Sequence, residues 1–489
     1  MAGIEDFIVN IINNNLWKVI PFLLLAAGLY FGIRTIVVQI RKVPDMFRAV
    51  TEAPADKNSD EISAFKAFTI SAASRVGTGN VAGVALAIIL GGPGAVFWMW
   101  IVAIVGGATA FVEATLAQLF KTKEDGHYRG GPAYYITAGL RSPILATIFA
   151  IAISITYGII YQGLQSNAVV EAMTVSMGAA DNTSAHVIIG ALMAALTATI
   201  IIGGVKRISD FTQIVVPFMA GAYVIIGLIV AIINITEIPA MISLIVGSAL
   251  GLREVAGATI GLAFMNGMRR GLFSNEAGEG SAPNAAAAAT VSHPVKQGLV
   301  QTLGVYFDTL LVCSITAFIL LLSDYTPAAD ESSSYTQHAV ADVVGNWGLH
   351  FVTVVIFFLA FSSVIGNYYL AEQNIKYLTS SRPALLIFQL IGILAVFLGA
   401  VASTPLVWAL GDTFAGIMVV INLIAIVPLG KYAFALLKNY SIQRAHGIDP
   451  VFHRDMLPEI ADRIECWDGT DSATEHYQKG YTALAAEDK

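Results

Sequence analysis

The sequence predicts an all-α polytopic membrane protein of about eleven transmembrane helices, and three observations carry that prediction. Of the 489 residues, 56% are hydrophobic and only 12% charged, with a mean hydropathy of +0.71, whereas soluble domains carry about 25% charged residues. Apolar stretches of roughly 20 residues recur along the chain, each long enough to cross a ~30 Å hydrocarbon core as a helix. Basic residues fall almost entirely in alternate connections between those stretches, as the positive-inside rule requires. The 27 Lys and Arg against 34 Asp and Glu leave a net charge of -7, which disfavours a nucleic-acid binder. Ten of the acids and five of the bases lie between Asn439 and Lys489, so the membrane part is close to neutral.

The spans are expected near Trp17–Ile40, Ala64–Leu90, Gly94–Phe120, Ser142–Met177, His186–Gly203 and Phe211–Asn234. They continue near Val255–Gly278, Gln297–Ser323, Leu349–Leu370, Pro383–Ser403 and Pro405–Leu429. Ile238–Leu252 is apolar but short, and reads as an interfacial or re-entrant helix. With the N-terminus outside, the inner connections hold Arg41, Lys42, Arg48, Lys57 and Lys66, then Lys121, Lys123, Arg129 and Arg141, then Lys206 and Arg207. Lys296, Lys376, Arg382, Lys431 and Lys438 follow on the same side. The outer loop Asp324–Gly348 has acids and no base. The C-terminus is therefore cytoplasmic, in a bacterial-type inner membrane. The start MAGIEDFIVNIINNN has no basic region and no small-residue cleavage site, so no cleaved signal peptide is expected. Cys313 and Cys466 imply no disulfide framework.

Two spans carry glycine-rich interruptions. The second contains Gly77-Thr78-Gly79-Asn80, and the seventh contains Asn266-Gly267 and Gly271 within AFMNGMRRGLFSNEAGEG. One such stretch would ordinarily let helices pack closely. Two of them, five spans apart, enter from opposite sides and suggest inverted halves around a midplane site, the pattern of a secondary transporter. The chain then divides into an extra N-terminal helix and cytoplasmic linker (1–63) and a first five-helix repeat (64–234). An extracellular interfacial helix (235–254), a second inverted repeat (255–430) and an acidic cytoplasmic tail (431–489) follow.

An unwound helix exposes N–H donors and C=O acceptors, the combination that an amino-acid zwitterion needs. Ser362 and Ser363, mid-span in FFLAFSSVIGNYY, can supply hydroxyl oxygens to a sodium ion or bond their own helix. Gln162, Gln165 and Asn167 are polar groups inside the fourth span, as helix bridges or as cavity lining. Arg75, Glu113, Arg269, Arg270, Glu276, Asp308 and Asp412 are charges within spans, and each needs a partner or a water path. GxSxG, HExxH and GxxxxGK[ST] are all absent, so an enzyme or an ATP-driven pump is not expected.

SRVGTGNVAGVALAI (Ser74 to Ile88), GHYRGGPAYYI (Gly126 to Ile136), RRGLFSNEAGEGSAPNAAAAA (Arg269 to Ala289) and INLIAI (Ile421 to Ile426) resemble the alanine or glycine:cation symporter family. The resemblance implies a LeuT-type 5+5 inverted-repeat fold preceded by one extra helix. It also implies import of small neutral amino acids with sodium by alternating access, without an organic cofactor. By position it assigns substrate binding to Thr78, Gly79, Asn80, Gln165, Met265 and Asn266. The wider LeuT-type pattern assigns sodium to the carbonyls of Ala73, Val76 and Leu359 and to the hydroxyls of Ser362 and Ser363. Two departures stand out: Glu279 where many members have Met, and Asn367 where many have Trp. Asn367 follows Ser363 by one helical turn, so it shares that face and either lines the cavity, leaving room for glutamine, or bonds a neighbouring helix. Proton coupling through Asp308 or Glu113 is the alternative within transport. A membrane-embedded receptor or hydrolase built on Ser281 is the alternative outside it.

Overall fold

A chain this apolar can satisfy its backbone in a bilayer only by bonding within each segment, and the computed structural model is built of helices. It describes residues 12–52, 62–124, 126–180, 182–253, 259–327 and 332–470. Lys57, the expected start of the seventh span at Val255, and residues 471–489 of the tail lie outside these. Among the described residues nine helices are long and apolar enough to cross a membrane. They are Asn15–Arg34, Gly94–Leu119, Pro143–Ser176, Thr183–Ile201, Arg207–Ile233, Pro294–Leu321, Trp347–Leu378, Arg382–Ala400 and Thr404–Ala445. The pair Ala64–Arg75 and Gly79–Gly91, bent by 54°, makes a tenth. The seventh expected span is the exception. Its helix runs only over Ile260–Asn275, and a second short helix, Ala282–Ala287, follows beyond the expected end at Gly278; each is too short to cross alone, and the first carries two arginines.

That split corrects the sequence reading. The helix is continuous through Asn266, Gly267 and Gly271, and the break lies at residues 276–281. Gly267 and Gly271 serve close packing instead: a Cβ at Gly267 would come within 2.7 Å of Trp98 Cβ, and one at Gly271 within 3.3 Å of Met99 Cα. Small residues four apart let this helix lie against the third span. The helix ends where Glu276 turns left-handed (φ 57°), and Gly278 and Gly280 (φ 90° and 85°) carry the extended segment that follows.

Span ends also differ. The first helix stops at Arg34, because Ile36 and Val37 are left-handed (both φ 53°) and turn the chain into the short helices Val38–Arg41 and Val43–Val50. The ninth and eleventh run on to Leu378 and Ala445, 32 and 42 residues long. Ile238–Ala249 is a helix with Met241 and Ile245 buried. Helix Ser332–Val344, within the acidic loop, had no signal in the hydropathy pattern. It is held by Gln337 Nε2, which donates to Ala172 O at 3.0 Å and to Thr353 Oγ1 at 2.7 Å.

Candidate functional site

At the first break the α-helix ends at Arg75, and Val76 (ψ 85°) leaves the helical region. The freed donors find side-chain acceptors, one from the same span and one from the fourth. Gly77 N donates to Asn80 Oδ1 at 2.8 Å, and Thr78 N donates to Gln165 Oε1 at 3.1 Å. Gly77 has no space for a side chain: a Cβ there would overlap Ser363 Oγ and lie 3.0 Å from Gln165 Oε1. A small cavity of about 10 Å³, room for roughly one water, lies beside the break, lined by Gly77, Thr78, Val81, Ala82, Ala168, Ile356 and Leu359. Thr78 Oγ1 is buried on that cavity and has no hydrogen-bond partner among the described residues. The site is small, mostly apolar, and carries one unsatisfied hydroxyl beside an unwound backbone.

Three of the five groups expected around sodium, Val76 O, Leu359 O and Ser363 Oγ, meet at the same break. Ser363 Oγ lies 3.3 Å from Val76 O and 3.1 Å from Leu359 O, while Ser362 Oγ donates to Leu359 O at 2.8 Å. Ser363 thus reaches across to the broken helix, whereas Ser362 bonds its own helix and otherwise meets Met219 Sδ at 3.5 Å. The fifth, Ala73, packs on Gly366, where an added Cβ would sit 3.0 Å from Ala73 C. Carbonyl and hydroxyl oxygens are the ligands that a hard cation takes.

Asn80, beyond the break, faces the eighth span. Its Nδ2 donates to Asp308 Oδ1 at 2.6 Å, and Ser274 and Thr309 donate to Asp308 Oδ2, each at 2.8 Å. Gly79 lies against Phe273, whose ring meets Tyr161 edge-on (5.2 Å) and Trp408 at a tilt (4.9 Å). Those three aromatic rings come from the fourth, seventh and eleventh spans.

The second break is held by residues from two of the motifs quoted above. Glu113 accepts from Gly278 N (3.1 Å) and from Asn422 Nδ2 (2.8 Å). Asn422 Nδ2 also lies 3.0 Å from Gly278 O, and Tyr135 hydroxyl donates to Asn422 Oδ1. A Cβ at Gly280 would fall 2.8 Å from Phe149 and 2.9 Å from Pro132, so the left-handed glycine is also a steric necessity. Tyr135 and Asn422 were not singled out from sequence. Their signal was the motifs GHYRGGPAYYI and INLIAI, whose residues meet at one point.

Other expected residues lie elsewhere. Asn266 Nδ2 donates to Leu262 O of its own helix at 3.0 Å, and Met265 packs half-buried against the core. Both follow from the displaced break. Gln162 bonds Val364 O (3.0 Å) and Asn167 bonds Gly399 O and Ala402 O (3.1 and 2.9 Å), so both bridge helices. Asn367 does not line the cavity: its amide meets Ser74 Oγ at 2.7 Å, and Ser74 donates to Glu276 Oε1 at 2.8 Å. One hydroxyl hydrogen cannot serve both acceptors. With the amide turned so that Nδ2 faces Ser74, Asn367 donates to Ser74 Oγ and the hydroxyl hydrogen is left for Glu276. Arg269 and Arg270 both face Asp412, Arg269 at 3.8 Å. Arg75 Nη1 donates to Gln301 O at 3.3 Å.

Residues 1–454 match the sodium:alanine symporter family. The chain belongs to that family. It is 45% identical to the probable sodium/glutamine symporter GlnT of Bacillus subtilis, over 98% of this chain and 99% of that protein. It is 47% identical to the amino-acid carrier protein AlsT of the same organism, over 96% and 99%. The sodium/alanine symporter AgcS of Methanococcus maripaludis is 37% identical over 89% and 98%. A symporter family is a family of multi-pass membrane transporters and not of enzymes, which disposes of the hydrolase reading of Ser281. That hydroxyl donates to Glu276 Oε2 inside the second break.

Proposed function

We propose that the chain is a sodium-coupled symporter that brings small neutral amino acids across the cytoplasmic membrane by alternating access. The observation that carries this is the first break. One short segment there borders a small closed-down cavity with a Thr78 hydroxyl that has no partner among the described residues, and places Val76 O against Ser363 from the ninth span. Substrate and ion would share that backbone, so binding of either orders the segment that the other needs. Thr78, Gly79, Asn80 and Gln165 are the substrate residues on this reading, and Ala73, Val76, Leu359, Ser362 and Ser363 hold sodium. The apolar lining favours alanine or glycine over glutamine, because a longer polar side chain would leave its amide unpaired. The five-span separation of the two breaks supports a LeuT-type inverted repeat after an extra first helix, divided as the sequence suggests. The basic residues of alternate loops support an outer N-terminus and an inner C-terminus.

Magnitudes allow it. One charge crossing ~100 mV releases ~2.3 kcal/mol, and a tenfold sodium gradient adds ~1.4 kcal/mol. Shared ordering makes binding reciprocal, so alanine should raise the melting temperature of the purified protein in sodium and leave it unmoved in potassium. Equal shifts in both salts would separate the two sites and remove the basis of the proposal.

A further inference from the structure

Glu279 is a buried carboxylate that the sodium and substrate sites do not use. It sits in the second break between two left-handed glycines, Gly278 (φ 90°) and Gly280 (φ 85°), and is 0% exposed. Its Oε1 accepts from Tyr161 hydroxyl at 3.2 Å, and Oε2 has no donor at bonding geometry among the described residues.

The charges around it do not neutralise it. Glu276 is one turn away on the same segment, with Glu279 N donating to Glu276 O at 3.1 Å. Glu113 faces it from the third span, and Tyr157 and Tyr161 from the fourth. Asp412 of the eleventh span lies beyond Tyr161 and is engaged by Arg269 and Arg270. Arg75 acts on Glu113, Glu276 and Asp308, so one cation already serves three acids. Glu276 has a hydroxyl donor on each oxygen, from Ser74 and Ser281, and Glu113 has two N–H donors. Glu279 has only tyrosine hydroxyls beside it, Tyr161 at 3.2 Å and Tyr157, and no ion pair among the described residues. A second ionised carboxylate one turn from the first, sealed inside the bundle, is strongly disfavoured.

A metal ion does not fit here. A hard cation needs several converging oxygens, whereas Glu279 meets a tyrosine that donates to it, and no group of three or more His, Cys, Asp or Glu among the described residues is placed to hold a metal. A proton does fit. We propose that Glu279 is a proton-binding site, loaded from water when the second break opens to one side and emptied to water when it opens to the other, so that a proton enters with the amino acid and sodium. The proton converts the carboxylate to the acid and later leaves to water; no bond of the amino acid changes. Tyr157, on the same wall, is placed to receive the acid hydrogen. The fourth span joins the two places: its Tyr161 donates to Glu279, and its Gln165 accepts from Thr78 N beside the cavity.

This inference rests on the symport proposed above, and its test keeps the two separate. Proteoliposomes loaded with a pH-reporting dye take up labelled alanine down a sodium gradient, with the membrane potential clamped. The wild-type protein should acidify the lumen in step with alanine entry. Glu279→Gln, which mimics the protonated side chain, should lose that acidification relative to alanine carried. Sodium-driven alanine entry without a lumenal pH change in the wild type overturns the proton site while leaving the symport intact. Acidification per alanine undiminished in Glu279→Gln moves the proton to another residue and equally overturns it. Should Glu279→Gln not reach the membrane, the wild-type measurement decides alone. Absence of any sodium-driven uptake in the wild type is instead the failure of the underlying proposal.

Discussion

At the scale of single residues, Gly77 and Ser363 are the sharpest points of the account. Gly77→Ala places a methyl on Ser363 Oγ and against Gln165 Oε1, and overpacking of this kind costs about 1–3 kcal/mol. Sodium-dependent uptake should be lost while the protein still elutes as a folded species in detergent. Ser363→Ala removes the hydroxyl that reaches Val76 O. It should raise the sodium concentration for half-maximal uptake several-fold, and more than Ser362→Ala does, since Ser362 is turned to its own helix. Equal effects of the two alanines would place both hydroxyls on the ion. Asn367 shows how far sequence reasoning reached at this scale. Its helical face was legible from the one-turn spacing to Ser363, but the partner on that face was not, because Ser74 comes from 293 residues away.

At the scale of elements, the broken helices depend on locks supplied by intact ones. Asn422 joins Glu113, Tyr135 and Gly278 at one point. Asn422→Ala leaves a buried carboxylate oxygen and a tyrosine hydroxyl without partners, at a cost of about 1–3 kcal/mol each. The melting temperature should fall clearly, and more than in Tyr135→Phe, which removes donor and hydroxyl together. The first break was legible because Gly77-Thr78-Gly79-Asn80 interrupts an apolar run. The second was misplaced by about ten residues because glycine alone does not say whether a helix opens or another helix approaches. At Gly267 and Gly271 the third span approaches; at Gly278 and Gly280 positive φ angles open the chain. Helix Ser332–Val344 was missed for a related reason: its apolar face is set by packing, with Ala339 and Val340 fully buried, and not by a long hydrophobic stretch.

At the scale of the whole molecule, the polar C-terminal segment up to residue 470 is docked onto the bundle. Trp467 Nε1 donates to Gln118 O at 2.9 Å, Phe452 N donates to Ser292 O at 2.9 Å, and Lys296 pairs with Asp449 at 2.9 Å and with Glu52 at 2.6 Å. Burial raises the Glu52 carboxyl, against the pull of Lys296. Composition marked this segment only as acidic; its anchoring aromatics are too few to register in a hydropathy window. Trp467→Ala should destabilise by about 3–5 kcal/mol, the usual loss for a buried aromatic. His293 gives the same region a pH signature. Its Nδ1 accepts from Val295 N at 3.2 Å and its Nε2 lies 3.2 Å from Asn439 Oδ1, which fits a neutral ring, and burial lowers its pKa from 6.5 to about 3. Between those values the unfolded chain binds a proton that the folded one refuses, so stability rises with pH across that window and falls as the pH drops from 6.5 toward 3. Melting curves from pH 4 to 8 should show this slope, and His293→Asn, which keeps the capping acceptor, should reduce it.

The central claim is that substrate and sodium share the first break. Uptake of labelled alanine into proteoliposomes, with and without an inward sodium gradient and with Thr78→Val and Ser363→Ala beside the wild type, tests it most directly. The account predicts accumulation only with the gradient, weakened alanine affinity in Thr78→Val, and weakened sodium dependence in Ser363→Ala. Equal alanine uptake with and without sodium in the wild type would contradict it.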